Sequence, residues 1–383
     1  MPTLLKSMAA VAAIAIAWQA GRVGRGGEAT PAPPVPEHRA LRPATPGGPF
    51  HGMAVQLHGG TDIYEKYHRL IPEVAELGAD TVLFVVHGWQ THGASLDLHI
   101  DARRTADAEQ LGRLCDLATD SGLRIILMPI VLLESPRNNE WRGKIIPEGH
   151  AWDAWFRRYS RFIVHFARIA EKHRVELLMI GSELIKTETY ADRWIRVIQE
   201  VRQNYRGQLG YSANWDHYQT SKIAFWPHLD YVGMTTYYEL ADAAGPDAAE
   251  IDANWAKIKS QIVAFAREVN KPIVFTEVGW CSQEGAAHEA WNYYANQKAT
   301  AAGLREQALL YECFIRAWSD EPTLGGVIWW EWNTSPGGPG DYNYTPRAKP
   351  AEKILRRWFG DHGRRSDAST DGAGASASNG RAG

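Results

Sequence analysis

The sequence predicts an α/β protein that folds as a single (β/α)8 TIM barrel. Short apolar runs rich in β-branched residues alternate with longer amphipathic patterns, which is typical of βα units in a parallel sheet. Eight such runs occur between residues 50 and 360, with no sign of a second core. The chain of 383 residues has room for one domain of barrel size.

The predicted elements follow one another in strict alternation. The strands are expected at Met53–Leu57, Thr81–Val86, Arg124–Ile130, Glu176–Ile180, Leu209–Tyr211, Tyr231–Met234, Ile273–Phe275 and Val327–Trp329. Helical patterns occupy the intervals at Tyr64–Leu77, Asp107–Ser121, Trp152–His173, Ala191–Tyr205, Ala253–Val269 and Leu304–Trp318. The fifth unit is the weakest, because Ser212–Phe225 has little helical periodicity.

Both ends of the chain differ in composition from the middle. Residues 1–20 carry one lysine before a short apolar run, which indicates a signal peptide; an uncleaved anchor is the alternative. Residues 21–49 form a Pro/Gly-rich linker, 50–360 the barrel domain, and 361–383 a tail expected to be disordered. We therefore expect a secreted, periplasmic or cell-envelope protein and a monomer, with membrane attachment only if the N-terminal segment stays uncleaved.

Composition excludes some functions. The formal net charge is −3 and there is no basic stripe, so nucleic acid is not an expected partner. Three cysteines cannot form a disulfide framework. The 16 tryptophans and 15 tyrosines are expected to be mostly core residues, but several follow strand ends, where a sugar-binding cleft would use flat apolar faces with polar edges.

The residues at the predicted strand ends are the candidates for function, because a barrel of this type builds its active site at the C-terminal face. We expect substrate to contact His58, His87, Trp89, Asn214, Trp215, Tyr237, Trp280 and Trp330. Trp329 and Trp330 point to opposite sides by strand alternation, and the sequence does not say which faces inward. Glu134 and Glu331 are expected to be structural or substrate-positioning carboxylates.

Two apolar runs end on a glutamate, with Glu183 at the end of the fourth run and Glu277 at the end of the seventh. A buried carboxylate is costly to desolvate, so its presence there indicates a function. Strands four and seven lie across the barrel mouth from each other, and glycosidic bond cleavage uses two carboxylates that flank the bond. We predict that Glu183 and Glu277 are catalytic, about 5–5.5 Å apart if the enzyme retains anomeric configuration. Tyr237 is expected to hydrogen-bond Glu277.

Two alternatives follow from the same residues. His58 and His87, with Glu134 or Glu183, could hold a metal for hydrolysis, although metal-dependent barrels usually carry His-x-His on the first strand and this chain has Val55-Gln-Leu-His58. A catalytically inactive carbohydrate-binding barrel would keep the tryptophans but should lose one glutamate, and both are present. Glycosidase chemistry itself requires neither a metal nor an organic cofactor.

The segments Gly181-Ser-Glu-Leu184 and Phe275-Thr-Glu-Val-Gly-Trp280 resemble clan A retaining glycoside hydrolases, and most closely family 113, whose founding activity is endo-β-1,4-mannanase. The resemblance spans the folded domain. It implies a TIM barrel with Glu183 as acid/base and Glu277 as nucleophile, and it aligns Tyr237 and the Trp330 region with the clan's strand-six tyrosine and strand-eight tryptophan. Ser182 departs from the clan, in which many members have asparagine before the acid/base.

The expected substrate is a β-linked glycan, with β-1,4-mannan as the first choice from this resemblance. Glucan and other β-glycans, and exo rather than endo action, stay open. The insert-like stretches Glu134–His150 and Trp280–Gly303 are expected to decide between endo and exo action.

Overall fold

The computed structural model describes residues 48–220 and 223–374. Eight parallel strands form a closed barrel in sequence order, with β8 paired back to β1, so the predicted fold class is confirmed. The strands are β1 (Phe50–Gln56), β2 (Thr81–Gln90), β3 (Arg124–Leu133), β4 (Leu177–Ser182), β5 (Gln208–Ala213), β6 (Tyr231–Thr235), β7 (Ile273–Val278) and β8 (Leu324–Trp329).

Helices surround the barrel and connect most successive strands. They are α1 (Ile63–Tyr67), α2 (Leu70–Glu76), α3 (Ala108–Asp120), α4 (Trp152–Lys172), α5 (Ala191–Arg202), α6 (Ala248–Val269), α7 (Ala301–Trp318) and α8 (Pro350–Gly374). Short 3₁₀ helices lie at Arg142–Lys144, Glu148–His150, Ile185–Thr187 and Trp226–His228. Between β5 and β6, the described residues form only the 3₁₀ helix Trp226–His228 and no α-helix. The weak helical periodicity of the fifth unit is consistent with this.

The first predicted helix is divided in two. A single helix over 64–77 would place Pro72 in its interior, where proline removes a hydrogen bond and its ring clashes with the preceding turn. The structure instead ends α1 at Tyr67 and begins α2 at Leu70. Pro72 then lies in the first turn of α2, where no N–H donor is needed.

Capping residues explain where other helices begin. Asp107 accepts hydrogen bonds from the backbone N–H groups of Glu109 and Gln110 and starts α3. Asp247 caps α6 through Glu250 N, which places its start before the predicted Ala253. Thr300 caps α7 through Gly303 N, again ahead of the predicted start. Polar side chains that satisfy free N–H groups therefore extend both helices beyond their apolar periodicity.

The chain termini lie partly outside the described residues. The predicted signal peptide and residues 21–47 of the predicted linker fall there, as do residues 375–383 of the tail. Helix α8 continues past the predicted domain end at 360 to Gly374, since no proline interrupts it after Pro350. Within 48–220 and 223–374, no helix is both long and apolar enough to span a bilayer.

Tryptophans fill the layer between the last strands and their helices. Trp255 of α6 contacts Trp280, Trp318 and Phe314, and Phe314 in turn contacts Trp329 of β8. All of these rings are buried. Each large ring removes much apolar area from water, so this cluster holds α6 and α7 against the barrel wall.

A buried lysine joins the segments that follow β7 and β8. The Lys349 ammonium donates to Asp341 Oδ1 at 2.9 Å, to Ser282 Oγ at 2.9 Å and to the carbonyl oxygen of Asn343 at 2.8 Å. Its side chain is fully buried, so the ion pair and hydrogen bonds compensate its desolvation. The two segments are thereby held together at the C-terminal face.

The α3 cap gives a test of this fold analysis. Asp107→Ala should lower the free energy of unfolding by about 1 kcal/mol, because two backbone N–H groups lose their acceptor. Thermal denaturation should show a melting temperature lower by roughly 2 °C. Asp107→Ser keeps a capping oxygen and should stay close to the parent protein; equal melting of the alanine and serine variants would show that the cap contributes nothing.

Candidate active site

The two predicted glutamates lie at the C-terminal face of the barrel. Glu183 directly follows β4 and Glu277 lies near the end of β7. Their exposed fractions are 1% and 6%. Each carboxylate is therefore largely removed from water, where an isolated charge would be costly.

The backbone at Glu183 is unusual. Its φ is +53°, in the left-handed region that residues other than glycine seldom adopt. The β4–β5 pairing shifts register between Met179 and Ser182, and the Glu183 N–H donates to the Ser212 carbonyl at 2.8 Å. Such conformations persist where the surroundings hold them and are concentrated at functional sites. The local distortion sets the direction of the Glu183 side chain.

Three donors from three parts of the chain hold the Glu183 carboxylate. Arg142 Nη2 donates to Oε2 at 2.6 Å in an ion pair that is almost completely buried. Asn214 Nδ2 and Thr235 Oγ1 both donate to Oε1 at 3.0 Å. Both carboxylate oxygens therefore have partners, as a buried charge requires.

Glu277 has a different environment. The Tyr237 hydroxyl donates to its Oε2 at 2.7 Å, which confirms the predicted hydrogen bond. Burial and the neighbouring Glu183 charge raise the pKa of Glu277 to about 7, against the opposing effects of Arg142 and Tyr237. Burial and the Glu277 charge raise the pKa of Tyr237 well above its ordinary value, so the phenol stays protonated and remains a donor.

His58 and His87 stack on each other with ring centroids 4.7 Å apart. Burial, followed by the charge of Lys66, lowers the pKa of His58 to about 4. Burial also lowers the pKa of His87 well below its ordinary value. Both rings are therefore neutral near pH 7. His87 is completely buried, whereas His58 is half-buried and offers one donor and one acceptor nitrogen, which suits sugar hydroxyls.

The described residues do not supply the donor set that the metal-dependent alternative needs. No group of three or more His, Cys, Asp or Glu side chains in 48–220 and 223–374 could hold a metal ion. Glu134 forms an ion pair with Arg104 and lies 3.9 Å from His99 Nε2. Glu183 pairs with Arg142. Glu134 thus has a structural partner, in line with the role expected for it.

The tryptophans after β7 and β8 point in different directions. Trp329 stacks on Tyr311 of α7 at 4.5 Å, so it faces the helices, and alternation places Trp330 on the barrel side. Trp332 donates its indole N–H to Glu73 of α2. Trp280, predicted to contact substrate, is fully buried, and its ring packs on Trp255 of α6 and Tyr311 of α7.

Asn214, Trp89 and Trp215 were also predicted to contact substrate, and they differ in their neighbours and in their exposure. The side-chain amide of Asn214 donates a hydrogen bond to the Glu183 carboxylate. Trp89 is buried, with the Arg104 guanidinium 4.0 Å from its ring centroid. Trp215 is half-buried, and its ring meets Tyr238 edge-on at 5.2 Å. Of these three, Trp215 offers the most open ring.

The sequence prediction missed two residues that contact Glu183. Thr235 lies two positions before Tyr237, so strand alternation from Tyr237 could have placed it on the same face. Arg142 comes from the segment between β3 and α4, which has no periodicity and no local sign of its partner. Glu331, expected to be structural or substrate-positioning, also acts on this pair: burial raises the pKa of Glu331 to about 7, and its charge raises the pKa of Glu277.

Comparisons with known proteins agree with this geometry. The sequence profile of Glycoside Hydrolase Family 113 matches residues 60–342. A β-1,4-mannanase of family 113 is 27% identical, with a TM-score of 0.70, over 82% of this chain and 99% of its own. The family 113 β-mannanase from Alicyclobacillus acidocaldarius, solved with ManMIm, is 26% identical, with a TM-score of 0.72, over 83% of this chain and 99% of its own.

More distant structures share the fold alone. A β-glucuronidase from Ruminococcus gnavus is 14% identical with a TM-score of 0.53, over 81% of this chain and 51% of its own. A search of curated protein sequences found no match. The family profile covers most of the barrel and both glutamate segments. The chain therefore belongs to glycoside hydrolase family 113, and it is a retaining glycoside hydrolase of clan A.

Proposed function

We propose that this enzyme hydrolyses β-1,4-mannan, with Glu183 as acid/base and Glu277 as nucleophile. The observation that carries the proposal is the buried Glu183–Glu277 pair. Arg142, Asn214 and Thr235 donate to Glu183, and Tyr237 donates to Glu277. The choice of mannan is supported by the two family 113 structures, both described as mannanases, which align over nearly their full length.

The reaction would proceed in two displacements. In the first, a Glu277 oxygen attacks the anomeric carbon, and the bond to the leaving oxygen breaks as Glu183 donates a proton to it. In the second, Glu183 takes a proton from water, and this water attacks the same carbon and releases Glu277. The Tyr237 hydroxyl, bonded to one Glu277 oxygen, would keep the carboxylate oriented for attack.

Charge balance explains how the pair could carry the proton that the first step needs. Two carboxylates share one buried region, and the cation that pairs with Glu183 there is Arg142. With the pKa of Glu277 at about 7, the pair retains one proton up to neutral pH. Movement of this proton to Glu183 when substrate binds would place it beside the leaving oxygen.

The substrate alternatives are other β-glycans, including glucan, and exo action. None of these changes the proposed roles of Glu183 and Glu277, since the same pair serves any β-glycoside in this clan. A purely carbohydrate-binding barrel would have no need for two buried carboxylates, whose desolvation is unfavourable for stability.

Hydrolysis assays test the proposal directly. The purified enzyme should release reducing sugar from β-mannan and not from β-glucan or xylan. Glu277→Ala should abolish release on all substrates, because no covalent intermediate can form. Release from a different glycan, lost in the same variant, would reject mannan and keep the catalytic roles. Undiminished release by Glu277→Ala would reject the catalytic pair.

Removal of Arg142 should change the pH dependence of catalysis. Arg142 lowers the pKa of Glu277, so Arg142→Met should let the pair keep its proton to higher pH and move the alkaline limb of kcat/KM upward by roughly one unit. Arg142→Lys retains the charge and should shift the limb less. Thermal melting of both variants separates this effect from misfolding. An unchanged or lowered limb in a folded Arg142→Met enzyme would contradict the assignment.

Glu277→Gln should stabilise the protein as pH rises. The folded pKa of about 7 exceeds the ordinary 4.5, so the folded state holds a proton that the unfolded chain has released, and stability falls as pH rises between these values. Glutamine lacks this penalty. Urea unfolding should therefore show the variant gaining little at pH 4 and about 3 kcal/mol at pH 8. The exposed Glu268→Gln is the matched control and should show no such pH-dependent gain.

A further inference from the structure

Large apolar side chains that are exposed in the described part of the chain all follow strand ends. They are Ile100, Ile146 and Tyr294, at 40%, 41% and 39% exposure. These residues lie in the segments after β2, β3 and β7, at the face that carries Glu183 and Glu277. Tyr294 is the only aromatic ring of the three.

Tyr294 is the outer end of a series of tyrosines that begins at the catalytic pair. Tyr237, hydrogen-bonded to Glu277, meets Tyr344 with ring centroids 6.1 Å apart. Tyr344 contacts Tyr293 at 6.4 Å, and Tyr293 contacts Tyr294 at 3.8 Å. Tyr237 and Tyr344 are buried, Tyr293 is half-buried and Tyr294 is exposed. The series therefore runs from the reacting centre to the surface.

The segment that carries the outer tyrosines is held by a buried amide. Gln283 donates from Nε2 to the Asn292 carbonyl at 2.9 Å, and its Oε1 accepts from the backbone N–H groups of Asn296 and Gln297 at 3.1 and 2.8 Å. Gln283 thus braces the chain on both sides of Tyr293 and Tyr294. At the inner end, the Tyr344 hydroxyl donates to the Ala290 carbonyl at 2.8 Å.

The Tyr294 ring packs on Tyr293, and 39% of it stays exposed on a braced segment, where it can bind a ligand. A tyrosine combines a rigid apolar face with a polar edge and loses little conformational entropy on binding. A pyranose ring is complementary to it, with C–H groups on its faces and hydroxyls at its rim. Because Tyr294 follows β7 and so lies at the same face as Glu277, the ligand that fits it is a further part of the same glycan.

We propose that Tyr293 and Tyr294 form a distal sugar-binding platform, which holds the glycan chain beyond the units that contact Glu183 and Glu277. The inference rests on the proposed function, since the platform binds the glycan whose cleavage is proposed there. Its effect is on chain length: a substrate that reaches Tyr294 binds more tightly than one that does not. This property favours internal cleavage of a polymer.

The test compares long and short substrates. Tyr294→Ala should raise KM for long manno-oligosaccharides about tenfold, with kcat little changed, because stacking on a ring contributes to binding in ground and transition states alike. The long-to-short ratio of kcat/KM, with an aryl mannobioside as the short substrate, should fall by the same factor. Tyr294→Phe keeps the ring and should restore the ratio. Thermal melting checks that the variants are folded.

Two results would overturn the platform: an unchanged ratio in Tyr294→Ala, or an equal loss on long and short substrates. If the parent enzyme cleaves no mannan, the proposed substrate fails separately. Affinity electrophoresis in gels with mannan, β-glucan or xylan then measures the platform without catalysis. Retardation that Tyr294→Ala loses and Tyr294→Phe keeps supports it, whereas no difference among the variants in any gel rejects it.

Discussion

Two carboxylates buried at the mouth of one barrel are the constraint on which the rest of the site depends. Glu183 and Glu277 repel each other in surroundings that screen charge poorly. One cation, Arg142, pairs with Glu183, while Asn214 and Thr235 supply neutral donors. The negative charge of the pair is therefore offset by one cation, two neutral hydrogen-bond donors and one shared proton. The three donor residues come from separate parts of the chain.

The barrel satisfies this constraint by distributing the donors. Thr235 ends β6, Asn214 follows β5, and Arg142 comes from the segment after β3. Parallel strands bring all of these positions to one face, so residues far apart in sequence reach the same carboxylate. The segment after β7 also lies at this face and carries Tyr293 and Tyr294. The same scaffold thus provides a charged interior and an apolar rim from different connecting segments.

The sequence predicted the parts of this arrangement that have a local pattern. An apolar run that ends on glutamate identifies Glu183 and Glu277, and Tyr237, after the sixth apolar run, hydrogen-bonds Glu277 as expected. Arg142 has no such pattern: its partner lies 41 residues away and the intervening chain includes all of α4. Proximity to a strand end does not determine which way a side chain points, and the Trp280 ring packs between α6 and α7. The signal peptide and cell-envelope location stay predictions.

Closure of the barrel has a consequence for biosynthesis. Strand β1 pairs with β8, with Phe50 opposite Gly326 and Met53 opposite Trp329, so the sheet cannot close until nearly the whole domain has been made. A nascent chain that lacks β8 leaves β1 and β7 as open edges, which can pair with other chains. Contacts so distant in sequence also form slowly. Glu183 and Glu277 both precede β8 in the chain, yet they gain their enclosed surroundings only when β8 completes the barrel.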